Sequence, residues 1–275
     1  MPEPAGAQEH WAAHLQREER RYRDGEARLG AAPGASSPPE AAASAVSERG
    51  DGTRAGCDSG DAPGQADAEA NAAAEADAAL DADAQQRQLT RLGNAAGGAG
   101  LALLMLDRKA EAASWFSRAA ARYRESFAAA PPGSWGRPIG AVKTLVLAGD
   151  WAAAEAAATW ALETGAAESE SPIGRYAAAL ALLVLGRDDD ARLHADAIRM
   201  SDDFPRAVGD ALAFLAAQDV LGYTEAVEAV LESFEKRHEY LEDIPVADTV
   251  LVLQALAARR GIAVELSSPL LPAPA

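Results

Sequence analysis

Four short turns divide the last two-thirds of the chain into a regular series of apolar helices. They fall at residues 107, 149, 186 and about 219, at intervals of 42, 37 and 33 residues. Between the turns, apolar residues recur at helical spacing. Repeats of this length, none of which can bury its apolar face alone, are typical of helical hairpins stacked on one another. The sequence therefore predicts an all-α fold of stacked helical hairpins, an α-α superhelix.

Two hairpins resemble the tetratricopeptide repeat in the spacing of their small and aromatic residues. In each, a glycine is followed after 12 and then 4 positions by further residues of this kind. The matching residues are Gly100, Ala112, Phe116 and Ala119 in one hairpin, and Gly140, Ala152 and Ala156 in the next. This resemblance implies an architecture and no function. After a last helix at 246–260, apolar residues alternate at 262, 264 and 266, which predicts a short extended C-terminal strap.

The composition of the chain changes twice before the hairpins begin. Residues 1–29 keep helical spacing at Trp11, Leu15 and Tyr22, and predict a helix that is either docked or free. Residues 30–86 are acidic, and their first part is rich in glycine, proline, serine and alanine with few large apolar side chains. Such a segment cannot offset the entropy of ordering. We therefore predict a disordered linker or insertion at 30–86, although 66–86 has helical propensity, and a helical-repeat domain at 87–275.

One helix carries an unusual run of acids, predicted at 222–241. Its glutamates follow one another at steps of 3 and 4, so a continuous helix would gather them into one stripe. The stripe is either a solvated face or a docking face for a basic partner. The residues are Glu225, Glu228, Glu232, Glu235, Glu239 and Glu242.

The charge of the chain favours a basic protein as that partner. The net charge is −17. Residues 87–187 carry 11 bases and 8 acids, for +3, whereas residues 188–275 carry 7 bases and 17 acids, for −10. This excess of acid argues against nucleic acid or an anionic membrane as a direct partner. It favours electrostatic steering of a basic domain.

A second set of candidate binding residues lies near the starts of the hairpins. Trp135, Arg137 and Tyr176 can line one rim of a stack, and Tyr240 closes the acidic helix in sequence. The alternative is that these residues serve only as core and cap residues.

No arrangement of residues indicates catalysis or a cofactor. Asp188, Asp190 and His194 are better explained as an acidic helix start, because no second histidine has metal-ligand spacing. The glycine-rich run at 93–100 lacks the lysine of a phosphate-binding loop, so close helix packing explains it better. Cys57 is the only cysteine, and it falls in the predicted linker. We therefore expect a non-enzymatic protein without metal or cofactor.

The C-terminal two-thirds resemble the immunity protein 49 family of bacterial polymorphic-toxin systems. One block at 219–240 carries Gly222-Tyr223, an amphipathic helix and the closing His238-Glu239-Tyr240. A second block at 246–272 carries an apolar helix, an alternating segment, and Ser268 before Leu271-Pro272. This chain has Leu270 where the family has an aromatic residue, and 30–86 is atypical. The resemblance implies a helical protein that binds and neutralises a cognate toxin without catalysis.

The first hypothesis is therefore an immunity protein that sequesters a basic toxin domain. The alternative is a general tetratricopeptide-like scaffold for a peptide or a regulator, which predicts a groove lined by asparagine and arginine. A third reading, an enzyme, requires a pocket with several perturbed titratable groups. The N-terminus shows no signal-peptide pattern and no apolar run is long enough to span a membrane, so we expect a soluble cytoplasmic protein. The oligomeric state stays open.

Overall fold

The computed structural model describes residues 5–31 and 65–273, and within them the protein is all helical. The prediction of an all-α fold is confirmed. Ten α-helices follow one another: α1 (Ala5–Gly30), α2 (Gln65–Met105), α3 (Lys109–Phe127), α4 (Gly136–Ala148), α5 (Trp151–Glu163), α6 (Pro172–Val184), α7 (Asp188–Arg199), α8 (Arg206–Ala216), α9 (Val220–Glu235) and α10 (Asp248–Ala258). A short 3-10 turn, Leu241–Asp243, lies between the last two helices.

The helices from α2 to α9 pack as four antiparallel hairpins, so the predicted hairpin architecture is also confirmed. Every predicted turn occurs. Gly149 and Gly186 adopt left-handed φ angles of 72° and 70°, which glycine tolerates without a steric penalty. The next helices are held at their starts by side chains: Asp150 accepts from the Ala153 N–H, and Asp219 accepts from the Gly222 N–H.

The core runs along the stack through the first helix of each hairpin. α4 packs against α6, and α6 packs against α8. In α6, every residue from 176 to 184 is buried, and four of these nine residues are alanines. Small side chains let neighbouring helices approach closely, while Phe116 and Tyr223 fill the larger gaps with fully buried rings. The alanine-rich composition is thus used for close helix packing.

The N-terminal helix is docked on the domain rather than free. α1 packs along α2, and Trp11, Leu15 and Tyr22 are all buried. Glu18, on the same face, is also fully buried. The arginines at 17 and 21 contact its carboxylate at 2.7 Å and 3.2 Å.

The second helix begins within the segment assigned to the linker. α2 starts at Gln65, not near residue 87, so 65–86 extend the first hairpin and the predicted boundary at residue 87 is wrong for them. Alanine and glutamate have high intrinsic helix propensity, which explains why the helix extends through this stretch. The remainder of the predicted linker, with Cys57, lies outside the described residues.

The last helix packs across the first helices of the hairpins. α10 contacts α4, α8 and α9. Arg260 donates to the Leu183 carbonyl at the end of α6 and pairs with Asp188. The last helix therefore covers part of the surface that the first helices of the hairpins form.

The residues after α10 contain no helix or strand up to residue 273 and lie against the C-terminal helices. The Val264 N–H donates to Gln254 of α10 at 3.3 Å, and the Gln254 amide donates back to the Val264 carbonyl. Further along, the Ala247 N–H donates to the Leu270 carbonyl at 2.9 Å. These bonds tie the C-terminal segment to the start and middle of α10.

Candidate functional site

The acidic face of α9 exists as an exposed surface over three glutamates. Glu225, Glu228 and Glu232 are all exposed, whereas Val227, Val230 and the other apolar residues of the helix are buried. Leu221 stands one helical turn before Glu225 on the same face and is 71% exposed. The surface defined by Leu221, Glu225, Glu228 and Glu232 is called the acidic face below.

The predicted stripe does not continue beyond Glu235, because α9 ends there. The Phe234 carbonyl at the helix end accepts from the Arg237 N–H at 3.1 Å and also from the Tyr240 hydroxyl at 2.8 Å. The chain then turns back toward α10. Glu239 is exposed but lies outside the helix, so its assignment to the stripe is wrong.

Glu242 is also wrongly assigned to the stripe, since it points away from the acidic face. It adopts a left-handed φ of 55°. Its carboxylate accepts from Arg21 at 2.5 Å and from Asn94 at 3.2 Å. Glu242 thus holds the segment after α9 against α1 and α2.

The glutamates of α9 differ in whether they already have a hydrogen-bond or ion-pair partner. Glu235 accepts a hydrogen bond from Ser268 at 2.7 Å, and Glu232 pairs with Lys236 at 2.6 Å. Glu225 and Glu228 have no ion-pair partner among the described residues. The negative charge of the acidic face is therefore concentrated at these two positions.

The predicted rim residues do not form one exposed rim. Tyr176 is buried, with its ring 5.3 Å from that of Phe204, so its place on a rim is wrong. Trp135 is half-buried and its indole packs so closely on Gly174 that a Cβ there would meet it at 2.8 Å. For these two residues the alternative interpretation, core and cap residues, agrees with the structure.

Arg137 and Tyr240 lie instead on the wall of a cavity of about 370 Å³. The cavity separates the first hairpins from the segment that follows α9. Its walls come from α2 (Thr90, Asn94, Gly97, Gly98, Leu101), α3 (Phe116, Tyr123), α4 (Gly136, Arg137, Ile139, Gly140, Lys143, Thr144, Leu147) and residues near the ends of α9 and α10 (Phe234, Arg237, Tyr240, Glu242, Ile244, Val246, Asp248). Its volume is at the lower end of the range for small-molecule sites.

A partly buried ion pair forms one wall of the cavity. The Lys143 ammonium donates to Asp248 at 2.6 Å and to Thr249 at 3.1 Å. Burial is the largest single influence on the pKa of Lys143 and lowers it, but the charges of Asp248 and Tyr176 and the hydrogen bond to Asp248 together outweigh burial and raise the pKa. The lysine is therefore held in its charged form, and it joins α4 to the start of α10.

Two further polar side chains on the cavity wall are hydrogen-bonded to each other. The Tyr123 hydroxyl donates to the Asn94 side-chain oxygen at 2.9 Å, and Asn94 in turn donates to Glu242. Burial and the nearby carboxylates raise the pKa of Tyr123 well above its ordinary value, so this phenol stays protonated. The interior of the cavity thus offers hydrogen-bonding groups fixed by their neighbours.

This cavity is hard to predict from the sequence, because its walls come from separate stretches of the chain. Lys143 was the available signal, since it interrupts the apolar run IGAVKTLVLAG within α4. A charged residue inside such a run must find a buried partner or reach a cavity. Asp248 and Arg237 carry no comparable signal.

The acidic helix start that was weighed as a metal site is occupied by ion pairs. Asp188 pairs with Arg260, and Asp190 pairs with Arg187 at 2.7 Å. Burial lowers the pKa of His194. Within residues 5–31 and 65–273, no group of three side chains is arranged to hold a metal ion.

A search for membrane-spanning segments in the same part of the chain finds no helix with the necessary length and apolar character. Comparison with protein-family models, curated proteins and solved structures finds no match to this chain. The resemblance to the immunity protein 49 family therefore stays a prediction from the sequence.

Proposed function

We propose that this protein is a non-enzymatic protein-binding protein that captures a basic protein domain on the acidic face of α9. With the resemblance stated above, the partner is a toxin domain and the chain is the cytoplasmic immunity protein that neutralises it. Nucleic acid and membrane have no part in this proposal. The observation that carries it is the exposed face itself, in which two unpaired glutamates follow an exposed leucine.

Charge and apolar surface have complementary roles on this face. Glu225 and Glu228 attract a basic surface over a distance and increase the association rate. Leu221 supplies an apolar side chain that is 71% exposed and loses its contact with water when a partner docks. Stable interfaces place such apolar anchors within a polar surround. The face combines these two features within three helical turns.

The position of α10 favours this face over the surface formed by the first helices of the hairpins. A general scaffold that holds a peptide in its groove needs the first helices of its hairpins to be accessible. Here α10 lies against α4 and α8, and Arg260 closes the end of α6. The alternative function, a tetratricopeptide-like scaffold, would require α10 to be displaced, so it has less support.

The first experiment tests capture of a toxin. The chain is coexpressed with the toxin domain encoded beside it, and copurification and cell survival are measured. We expect a stable complex whose affinity falls as the salt concentration rises. A toxin that kills equally well with and without this protein would contradict the proposal.

The second experiment tests the acidic face with the variant E225Q/E228Q/E232Q. It removes three repulsive contacts along α9 and one exposed pair with Lys236, so the free energy of unfolding should be unchanged or rise by about 0–1 kcal/mol. Toxin binding should weaken at least about tenfold and lose most of its salt dependence. Unchanged binding and salt dependence would show that the face is merely solvated.

A matched control separates this effect from the change in net charge. The variant E163Q/E168Q/E170Q also removes three exposed acids, but it does so at the end of α5 and in the connection to α6. It should bind the toxin like the unaltered protein. Equal weakening in both variants would mean that total charge, and not the acidic face, controls binding.

A further inference from the structure

The cavity between α2, α4 and the segment after α9 has a use of its own, separate from the acidic face. Exposed Gly136 and Arg237 mark the side on which it opens to the surface. Its interior is walled by buried apolar side chains, among them Phe116 and Ile139. Apolar walls with a few fixed polar groups are the usual surroundings of a small-molecule site.

Gly97 lies beside the cavity at a position where helix packing does not require a glycine. Gly98, Gly100 and Gly140 each lie so close to a neighbouring side chain that a Cβ would meet it at 2.5–2.7 Å. A Cβ on Gly97 would have its nearest neighbours at 3.8 Å and 3.9 Å, which is ordinary contact. Glycine within a helix destabilises it relative to alanine. Packing does not require Gly97. Its effect is on the cavity, because a larger side chain at this position would reduce the open volume.

The charges on the wall favour an anion, although the protein as a whole has a net charge of −17. The wall carries three basic and two acidic side chains, a balance of +1. Both acids are already neutralised, because Asp248 pairs with Lys143 and Glu242 pairs with Arg21. The positive charge that is left over lies on two arginines.

Those two arginines, Arg137 and Arg237, have no carboxylate partner among the described residues. One nitrogen of Arg137 donates to Gln86, but its Nε is buried and has no hydrogen-bond partner in this part of the chain. The Arg237 guanidinium lies 3.8 Å from the centre of the Phe234 ring. It is also close enough to Lys143 for the two positive charges to repel. An anion placed between these groups would relieve that repulsion and satisfy the free donor.

We propose that the cavity binds a small organic monocarboxylate, with its carboxylate at Arg137 and Arg237 and its apolar body against Phe116 and Ile139. A carboxylate offers two oxygen atoms, one for each of the two unpaired guanidinium groups, and planar guanidinium groups suit its geometry. The Asn94–Tyr123 pair then offers a hydrogen-bonding point at the inner end. This site does not depend on the proposed capture of a toxin.

The experiment compares an acid with its uncharged analogue on the full chain. The probes are 3-phenylpropanoate and octanoate, each paired with the corresponding amide, and binding is followed by isothermal titration and by shifts of assigned backbone amide resonances. We expect at least one acid to bind about tenfold or more tightly than its amide. The shifts should centre on Gly97, Gly98 and Gly140. Inorganic phosphate alone should bind more weakly than that acid, because it gains nothing from the apolar wall.

Two variants and one control assign the effect to the cavity. R237Q should weaken binding of the acid about tenfold and leave the amide unchanged, whereas G97L should fill the volume and abolish binding of both. R124Q is the control, because Arg124 is likewise an exposed arginine over an aromatic ring, that of Trp160, and lies outside the cavity. Circular dichroism establishes that each variant is folded, and G97A replaces G97L if the larger side chain prevents folding, with weaker binding expected.

Three results would overturn the proposal. The first is equal affinity for each acid and its amide, which would remove the role of the arginines. The second is a set of shifted resonances away from the cavity. The third is no binding of either acid at concentrations up to about 10 mM, since that limit corresponds to an affinity too weak for a dedicated site.

Discussion

Two glycines of α2, only three residues apart, should respond in opposite ways to the same substitution. Gly97 and Gly100 are both buried in the helix interior. Replacing either by alanine stabilises the helix by about 0.8–1.0 kcal/mol, because alanine loses less backbone entropy on folding. The two sites differ in what the added methyl group meets.

At Gly97 the methyl group meets Tyr123 and Thr144 at 3.8 Å and 3.9 Å, so the full gain of about 1 kcal/mol should be kept. At Gly100 it would lie 2.5 Å from a ring carbon of the fully buried Phe116, so the ring or the helix must shift to admit it. Overpacking of this kind costs about 1–3 kcal/mol. The net effect of G100A is then a loss of about 0–2 kcal/mol.

The assay is urea unfolding followed by circular dichroism, supported by thermal melting. For a domain of this size, about 1 kcal/mol corresponds to roughly 2–4 °C, so G97A should melt higher than the unaltered protein by about that amount. The difference in unfolding free energy between G97A and G100A is the more informative quantity. The gain in helix propensity is common to both variants and cancels, so the difference reports the contacts of the added methyl group. We expect it to be about 1–3 kcal/mol in favour of G97A. If both variants are stabilised equally, the packing of Phe116 on Gly100 is refuted, and if both are destabilised equally, the open volume beside Gly97 is refuted.

Two further substitutions test the buried charges. Burial raises the pKa of Glu18 against the opposing effect of Arg17 and Arg21, so its contribution favours folding below the pKa of the unfolded chain and is lost as pH rises through the folded pKa. In urea titrations, the unfolding free energy of the unaltered protein minus that of E18Q should therefore fall as the pH rises from about 4.3, the ordinary pKa of glutamate, through the raised pKa of the folded protein. A flat difference would contradict the burial of the Glu18 carboxylate. D248N should destabilise the protein by about 1–3 kcal/mol because it leaves the partly buried Lys143 ammonium without a carboxylate. The double variant K143M/D248N should recover most of that loss, and failure to recover it would show that Asp248 acts through some other contact.

Sequence reasoning succeeded where local signals decide the structure. The turns at 107, 149, 186 and 219 follow from residues that stop one helix or cap the next, such as Gly149 and Asp219. The glycine-rich run in α2 was correctly assigned to helix packing, because Gly93, Gly98 and Gly100 each lie against a side chain of another element. Nothing in the sequence distinguishes Gly97 from these neighbours, since the difference lies in what stands opposite.

The acidic stripe shows where the same reasoning fails. The 3-and-4 spacing of glutamates continues to Glu242, but the helix ends at Glu235, where the chain turns to bury Ile244 and Val246 and Tyr240 donates back to the Phe234 carbonyl. These are tertiary effects that periodicity cannot report. The cavity is a stronger case, since Arg137 and Arg237 are 100 residues apart in sequence and line the same cavity only in the folded chain.

The contact between α1 and Glu242 changes how the stack of hairpins should come apart. Arg17 and Arg21 both bind Glu242, which lies more than 200 positions further along the chain. The first helix and the segment before α10 therefore hold each other in place. An open solenoid unravels from its ends, one repeat at a time. In this chain neither end is independent: removing α1 would also release the turn at 241–243 and one wall of the cavity. The domain should therefore unfold as one cooperative unit, and the pairing of its two ends should be among the last steps in folding because so long a loop must close first.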